Sequence, residues 1–396
     1  MMNSYGVIHN DPEVVSKIVA SQAHHKKIDG HAPGLQGKDL DTYVAAGVYS
    51  DHECATMEDA LAKLQRGQFI MIREGTAARN LEALAPLLTP QYAERCMFCT
   101  DDKHPSDLLE KGHIDYIARE AINKYGVDPI IAVKAACHHA SRYFLLNNRG
   151  AIAPGYLADF AVIDNFKDFN VEMVFKKGIL YWNNGELRDF EAPKIEEYLD
   201  KRAHDTFHVS TLTPDDFRDT RQRGVLGMVP GEIITTDNGY ADHVDLEKDI
   251  LKIAVVERHK GTHHIGLGYI QGYGLKSGAV ATSISHDSHN IIVVGTNSAD
   301  MAFAANYIVE HHGGIVVVEN GTVKGSVVLE IAGIMSDRPL TEVNDQLEAA
   351  KDAAFTLGVS RGIDPFMTLS FMALPVIPKL RITTRGVIDV DTQQYV

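Results

Sequence analysis

Residues 68–102, "QFIMIREGTAARNLEALAPLLTPQYAERCMFCTDD", contain a predicted strand, a helix and a second strand in succession. The apolar runs at 69–72 and 96–99 are short and continuous, which is typical of buried strands. Between them, residues 78–88 carry apolar side chains at helical spacing. Because a strand–helix–strand unit joins parallel strands, this stretch predicts a parallel sheet.

The same pattern extends in both directions along the chain. Two further strands are predicted at 26–31 ("KKIDGH") and 45–52 ("AAGVYSDH"), with a helix at 56–67 before the quoted stretch. Two more helices are expected at 106–125 and 128–146, the second opening on an Asp-Pro pair. We therefore predict four βα units and an α/β fold class.

Ionisable residues follow each of the four strands. The strands end at His31, at Asp51 and His52, at Arg73 and Glu74, and at Asp101. Active sites of parallel sheets lie beyond the carboxyl ends of the strands, so these side chains are expected to converge there. Imidazole and carboxylate together suit zinc, manganese or iron. A single histidine at a strand end is more often a hydrogen-bonded structural residue, but three compatible ligand types at three strand ends favour a metal site.

A second polar cluster lies in the last part of the chain. "SHDSHN" (285–290) places His286, Asp287, His289 and Asn290 between two apolar strands, where they could contact a metal or a substrate, or form a polar turn. "ERH" (257–259) ends another strand, with Glu257 and His259 as further candidates. A solvated strand end is the alternative for that segment.

Downstream of the βα repeat, the pattern changes to hairpins and then to a separate α/β domain. Residues 150–190 predict strands closed by an Asn-Gly turn, and residues 191–205 a charged connector helix. The domain from 206 to 396 has four strand candidates, at 251–259, 278–285, 290–295 and 313–323.

Composition excludes several classes of protein. A net charge of -15 argues against nonspecific nucleic-acid binding, because phosphates would be repelled. No apolar run is long enough to span a membrane, and the start lacks a signal-peptide pattern. Four cysteines suit a reducing cytoplasm, and the CxxC at 96–99 is more readily explained by buried strand residues than by a metal or redox pair.

Several long motifs resemble the amidohydrolase superfamily and, within it, the adenine deaminases. They are "DGHAPGLQGKDLDTYVAAGVYSDHE" (29–53), "IREGTAARNL" (72–81), "FCTDDKHPSDLL" (98–109), "GAIAPGYLADFAVID" (150–164) and "GAVATSISHDSHNIIVVGTNSADM" (278–301). The resemblance implies three parts. Residues 1–149 would be the C-terminal half of an amidohydrolase-type (β/α)8 barrel, residues 150–190 a small β-sandwich portion, and residues 206–396 a mixed-sheet domain.

The resemblance also implies an activity, the hydrolytic deamination of adenine to hypoxanthine and ammonia by a metal-activated water in purine salvage. His31, His52 and Asp101 would bind a divalent metal, either manganese or iron, with zinc as the alternative. Asp101 would shuttle the proton, and His52 and Glu74 would be catalytic. His286, Asp287, His289, Asn290, Glu257 and His259 would be the contribution of the last domain to the site.

The chain departs from the family pattern in its first part. It has no H-x-H motif, and the family's bridging Glu would be expected just before the position of Met1. Because a closed barrel needs eight βα units, we expect a second copy or an N-terminal fragment to complete it. The alternatives are a truncated, catalytically inactive fragment and, within the enzymes, another cyclic amidohydrolase.

Overall fold

A computed structural model of the chain describes residues 4–76, 78–219, 221–229 and 232–396. The chain divides into two units, Met1–Ala192 and Pro193–Val396, each with its own sheets and core. Within the described residues, every helix is too short or too polar to cross a membrane.

The first unit is built on a parallel sheet of four short strands in sequence order. They are β1 (Asp29–Gly30), β2 (Ser50–Asp51), β3 (Phe69–Arg73) and β4 (Cys96–Cys99). Each strand pairs in parallel with the next along the chain. The predicted parallel sheet is thereby confirmed.

Nine helices of the described residues belong to this unit. They are α1 (Ser4–Ile8), α2 (Pro12–Ala23), α3 (Gly37–Ala45), α4 (Met57–Gln65), α5 (Leu81–Leu84), α6 (Pro105–Glu110), α7 (Ile114–Asn123), α8 (Pro129–Val133) and α9 (His139–Tyr143). Thr56 caps α4 by accepting from the amide of Asp59, and Asp128 caps α8 in the same way. The helix expected at 106–125 is divided into α6 and α7, because Gly112 adopts a φ of 104° between them.

Helices pack onto the sheet through apolar side chains spaced along one face. Ile70, Ile72 and Phe98 from the strands form one core with Leu84 and Ile117 from the helices. Burial of this kind supplies most of the stability of short helices, which are marginal alone.

A separate antiparallel sheet completes the first unit. Its strands are β5 (Phe160–Ile163), β6 (Val171–Lys176), β7 (Ile179–Asn183) and β8 (Glu186–Leu187). Asn184 and Gly185 close the β7–β8 hairpin with φ values of 47° and 97°, the turn expected from the Asn-Gly pair. None of the residues in these four strands is fully buried.

The second unit begins with an exposed helix, α10 (Glu197–His204), within the predicted connector, and its centre is an eight-stranded sheet. The strands are β9 (Arg223–Met228), β10 (Thr235–Ala241), β11 (Ile250–Val256), β12 (Ile265–Gln271), β13 (Ala279–Thr282), β14 (Ile291–Gly295), β15 (Gly314–Glu319) and β16 (Thr322–Val328). Their spatial order is β10-β9-β12-β11-β14-β13-β15-β16. All neighbours are antiparallel except β9 and β12, so the predicted mixed sheet is confirmed.

Both faces of this sheet are covered. The helix α11 (Ser298–Glu310) packs on one face, where Met301 contacts the apolar cluster that includes Ala254 and Val256 of β11. The other face buries Ile253 and Val255. It is covered by α12 (Leu340–Thr356), α13 (Pro365–Phe371) and a small sheet of β17 (Leu380–Thr383), β18 (Gly386–Asp389) and β19 (Gln394–Tyr395). Burial on both faces explains the continuous apolar runs in the sequence.

Hydrogen bonds tie the end of the second unit to the start of its sheet. The hydroxyl of Thr235 donates to the carbonyl of Leu380 at 2.7 Å and accepts from the amide of Leu380 at 3.0 Å. The fully buried guanidinium of Arg381 donates to the carbonyl of Ile233 at 2.6 Å. Residues 233–235 are therefore held by residues 380–381, which follow them by about 145 positions in the sequence.

Candidate metal centre

The carboxyl ends of the parallel strands carry the side chains expected there. His31 follows β1, His52 follows β2, Glu74 follows β3, and Asp101 lies just beyond β4. Since the strands are parallel, these ends share one edge of the sheet. The structure brings His31 and His52 together, with Glu53 as a third member.

The three side chains of this cluster converge on one point. Their ligand atoms all lie within 4.8 Å of one another. Nδ1 of His31 is 3.3 Å and Nε2 of His52 is 3.4 Å from the same atom, Oε1 of Glu53. Nδ1 of His31 is buried and makes no hydrogen bond within the described residues. A buried nitrogen of this kind normally has a partner, and a metal ion is one that suits it.

The second nitrogen of His52 is held by a carboxylate. Nδ1 of His52 lies 2.9 Å from Oδ2 of Asp29, whose Oδ1 accepts from the Ser50 hydroxyl at 2.6 Å. Burial lowers the pKa of His52, but the hydrogen bond and charge of Asp29 outweigh burial and raise it above its usual value. The contact with Asp29 directs Nε2 toward Glu53, which is the arrangement of metal-bound histidines.

This donor set fits a divalent metal ion. Two imidazoles and one carboxylate are ligands that zinc, iron and manganese share. Nδ1 of His31, which is 3.3 Å from Oε1 of Glu53, and the carboxylate-bound His52 both suit a cation near Glu53.

A buried arginine approaches the cluster from the next strand. Arg73 lies at the end of β3, and its Nη2 donates to Oε2 of Glu53 at 3.1 Å, while Nη1 contacts Oε1. Burial raises the pKa of Glu53, but the neighbouring His31 and Arg73 outweigh burial and lower it to about 2. Glu53 is therefore ionised at neutral pH, ready to hold a cation.

Asp101 is joined to the cluster through the same arginine. Its Oδ2 accepts from Nη1 of Arg73 at 2.6 Å, and its side chain is 36% exposed. Its φ of 54° is in the left-handed region, where aspartate is tolerated better than most residues. Asp101 lies outside the group of three converging ligands, so its assignment as a metal ligand stays a prediction.

Glu74 points to a different neighbour. Its Oε2 accepts from the amide of Leu81 at 3.4 Å, at the start of α5. Burial raises the pKa of Glu74 above its usual value. The contacts described for its side chain do not include the cluster, and its catalytic role stays a prediction.

In the second unit, Glu257 organises the turn that follows β11. Its carboxylate accepts from the amides of His259 at 2.6 Å and Lys260 at 2.9 Å, and from the Thr262 hydroxyl at 2.9 Å. Burial raises its pKa, but these hydrogen bonds outweigh burial and lower it below its usual value. Nε2 of His259 lies 2.6 Å from the carbonyl of Ser288, so the two predicted segments meet.

The 285–290 loop is held from within this unit. The ring of His286 stacks on Phe371 at 4.9 Å, and its Nδ1 lies 3.5 Å from Oδ1 of Asp287. Nδ1 of His289 accepts from the amide of Ser285 at 3.2 Å. The side-chain oxygen of Asn290 accepts from the amide of Arg258 at 3.1 Å. Among the described residues, no three metal-ligating side chains of this loop converge.

Two residues of the centre, Asp29 and Glu53, were not anticipated from the sequence, and Arg73 was expected at a strand end without a role in the site. Each lies at or next to a predicted strand end. Glu53 is adjacent to His52, and this adjacency is the signal that could have identified it.

Comparison with known families agrees with this geometry. Residues 1–180 match the amidohydrolase family, and residues 232–394 match the adenine deaminase C-terminal domain.

Curated relatives match the whole chain. It is 44% identical over 404 residues to the adenine deaminase of Desulfatibacillum aliphaticivorans, covering 100% of this chain and 70% of that protein. It is 43% identical to the adenine deaminase of Nitratidesulfovibrio vulgaris strain DP4, with the same coverage. The adenine deaminase of Dehalococcoides mccartyi strain 195 is 43% identical over 99% of this chain and 69% of its own length. The chain thus spans about 70% of the length of these relatives.

Among solved structures, the beta-aspartyl dipeptidase of Fervidobacterium islandicum AW-1 has a TM-score of 0.37 and 19% identity. The match covers 46% of this chain and 54% of that one.

Proposed function

The chain belongs to the adenine deaminase family, and from this premise we propose that it hydrolyses adenine to hypoxanthine and ammonia in purine salvage. The observation that carries the proposal is the convergence of His31, His52 and Glu53 at the carboxyl ends of the parallel strands. Hydrolytic deamination needs an activated water and a carrier for its proton, and this edge of the sheet offers groups for both.

A divalent ion held by His31, His52 and Glu53 would supply the Lewis acidity that makes water nucleophilic at neutral pH. Manganese and iron are our first candidates, with zinc as the alternative, because all three accept mixed nitrogen and oxygen ligands. The Asp29 carboxylate favours a proton on Nδ1 of His52, which would leave Nε2 to bind the metal ion.

Asp101 is our candidate for the proton carrier. Its carboxylate is partly exposed and borders the centre through Arg73. In the proposed reaction it accepts a proton from the attacking water and returns it to the amino group, which leaves as ammonia. Nη1 of Arg73 contacts both Asp101 and Glu53, so the proton carrier stays next to the ligands.

We further propose that the four parallel strands form part of an amidohydrolase-type (β/α)8 barrel. In the described residues, β1 pairs only with β2 and β4 only with β3, which leaves two open edges. A second copy or another segment of chain would pair with these edges. If a second copy does so, light scattering of the purified chain should give a mass above 43.6 kDa.

The four cysteines are free thiols, which supports a cytoplasmic location as part of this proposal.

The test is adenine turnover by the full chain loaded with Mn²⁺, followed by ultraviolet absorbance as hypoxanthine forms. We expect turnover in the wild type and its loss in His52→Ala. The matched control is His24→Ala, an exposed histidine at the end of α2, which should leave the rate unchanged. A folded, Mn²⁺-loaded chain that forms no hypoxanthine would refute the proposed activity.

A further inference from the structure

A lysine is buried beneath the candidate metal centre. Lys63 lies on α4, and its side chain is fully inaccessible to solvent. Its Nζ donates to the carbonyl of Ala32 at 2.8 Å and to Oδ2 of Asp59 at 3.0 Å, and it lies 3.4 Å from Oδ1 of Asp51. Burying an ammonium group costs several kcal/mol unless its protons find partners, and here they do. Apolar residues of similar volume often stabilise a protein as well as a buried ion pair does. A role other than stability is therefore worth seeking for the pair of Lys63 and Asp51.

Asp51 connects this lysine to the backbone that carries the centre. It is fully buried at the end of β2, directly before His52. Its Oδ2 accepts from the amide of Ala32 at 2.9 Å, and its Oδ1 accepts from the amide of Glu53 at 2.7 Å. One carboxylate therefore ties together two segments, the one after β1 and the one after β2.

The tied residues are direct neighbours of the ligands. Ala32 follows His31, and its amide and carbonyl are bound by Asp51 and Lys63 respectively. The amide of His31 donates to the buried hydroxyl of Tyr43 at 3.0 Å. The amide of His31 and the amide and carbonyl of Ala32 are thus all held by buried side chains. The amide of Glu53 is held by Asp51.

We propose that Asp51 and Lys63 are positioning residues that hold the backbones of His31 and Glu53 at the separation a metal ion requires. This inference rests on the proposed metal-dependent function. Neither residue belongs to the group of three converging ligands. Lys63 neutralises Asp51 and binds the Ala32 carbonyl, and Asp51 joins the two segments.

The chain offers a matched control for this proposal. Asp59 binds the same Nζ as Asp51 does and is also buried, but its described contacts lead only to Lys63 and to the cap of its own helix. Asp51→Asn and Asp59→Asn each remove one negative charge from Lys63. Only Asp51→Asn removes an acceptor that ties the segments of the centre together.

The experiment measures Mn²⁺ affinity by equilibrium dialysis for the full-length wild type, Asp51→Asn, Lys63→Met and Asp59→Asn. Groups that orient metal ligands typically contribute about 10–100-fold in affinity. We expect a loss of at least about tenfold for Asp51→Asn and Lys63→Met, and less than about threefold for Asp59→Asn. The visible absorption of bound Co²⁺, which reports ligand geometry, should change in the first two variants and not in the third.

Amide hydrogen exchange in the metal-free chain provides a second measurement. The amides of Ala32 and Glu53 should exchange faster in Asp51→Asn and Lys63→Met than in the wild type or Asp59→Asn. Lys63→Met leaves Asp51 unpaired and could fail to fold for that reason. In that case the double variant Asp51→Asn/Lys63→Met, which removes both charges, is used in place of the single variant. The proposal would be overturned if folded Asp51→Asn matched the wild type in both Mn²⁺ affinity and amide exchange. It would also be overturned if Asp59→Asn lost as much Mn²⁺ affinity as Asp51→Asn.

The two proposals fail in different ways. If the wild type neither binds Mn²⁺ nor forms hypoxanthine, the proposed function fails. Exchange at Ala32 and Glu53 still decides whether Asp51 and Lys63 hold these segments. If the wild type is active and all variants bind Mn²⁺ equally well, the positioning role alone fails.

Discussion

Nη1 of Arg73 donates to Oδ2 of Asp101 at 2.6 Å, from the end of one parallel strand to the turn after the next. The same nitrogen contacts Oε1 of Glu53, so one buried cation lies between two carboxylates. Arg73 thus joins Asp101, the proposed proton carrier, to Glu53, a proposed metal ligand. Removing the positive charge of Arg73 tests this connection.

Arg73→Met should destabilise the chain by about 3–5 kcal/mol, since breaking a buried ion pair leaves Glu53 without its cation. Urea denaturation of the metal-free chain measures this loss. Mn²⁺ should then raise the melting temperature of the variant more than that of the wild type, because a divalent ion at Glu53 replaces the missing charge.

The control for Arg73→Met is Arg142→Met, which breaks an exposed pair with Glu94 at 2.9 Å. Exposed pairs contribute about 0–1 kcal/mol, so this variant should be close to the wild type in stability. Equal stability of the two variants would contradict the importance of the buried pair.

Asp29→Asn should weaken Mn²⁺ binding by about 10–100-fold, because the variant no longer accepts a charge-assisted bond from Nδ1 of His52. Equilibrium dialysis checks this. Asp39→Asn, an exposed aspartate of α3, is the matched control and should bind as the wild type does. Unchanged affinity in folded Asp29→Asn would show that His52 is not held through Asp29 in the metal-bound state.

Acid should destabilise the chain through His139. This side chain is 1% exposed, and its Nδ1 lies 2.9 Å from the carbonyl of Cys96 in β4. Burial lowers the pKa of His139 below its usual value near 6.5. The unfolded chain therefore binds this proton more readily, so the contribution to stability is complete above about pH 6.5 and is lost as pH falls through the folded pKa.

His139→Gln should accordingly lose less stability than the wild type between pH 7.5 and pH 5.5. Urea denaturation at both values measures the difference. The control is His24→Gln, which removes an exposed histidine. The free energy of unfolding of this variant should depend on pH as that of the wild type does. A wild type and His139→Gln with parallel pH profiles would refute this assignment.

Ile253→Ala should destabilise the second unit by about 2–5 kcal/mol. Ile253 is fully buried in β11, at the centre of the eight-stranded sheet, so truncation loses apolar burial and opens a cavity. Leu246→Ala, at a leucine that is 40% exposed, should change stability by about 0.5 kcal/mol or less. Chemical denaturation of the two full-length variants makes the comparison.

The helices and strands of the parallel sheet were easier to predict from the sequence than the side chains that converge at the candidate metal centre. Apolar runs located β3 and β4, and βα alternation predicted their parallel pairing, because both depend on local periodicity. Strand alternation would turn Glu53 away from His52, so the adjacency of the two residues identifies Glu53 only if both lie beyond the strand. β2 ends at Asp51, so both residues lie in a loop where that alternation no longer applies.

Other differences have local causes. The segment 313–323, expected as one strand, is a hairpin, because Asn320 and Gly321 adopt left-handed φ values of 53° and 67° between β15 and β16. The same Asn-Gly signal correctly predicted the turn at 184–185. At 313–323 the turn preference of the Asn-Gly pair therefore overrides the apolar periodicity.

The bonds between Thr235 and Leu380 set an order of events during synthesis. Residues near 235 leave the ribosome long before residues 378–381, which satisfy their backbone groups. At about 5–20 residues per second, this edge of the eight-stranded sheet waits about 7–30 seconds for its partners. The second unit therefore cannot complete its fold cotranslationally from its own early strands. A nascent chain arrested before residue 378 should be more sensitive to protease near residue 235 than the released protein.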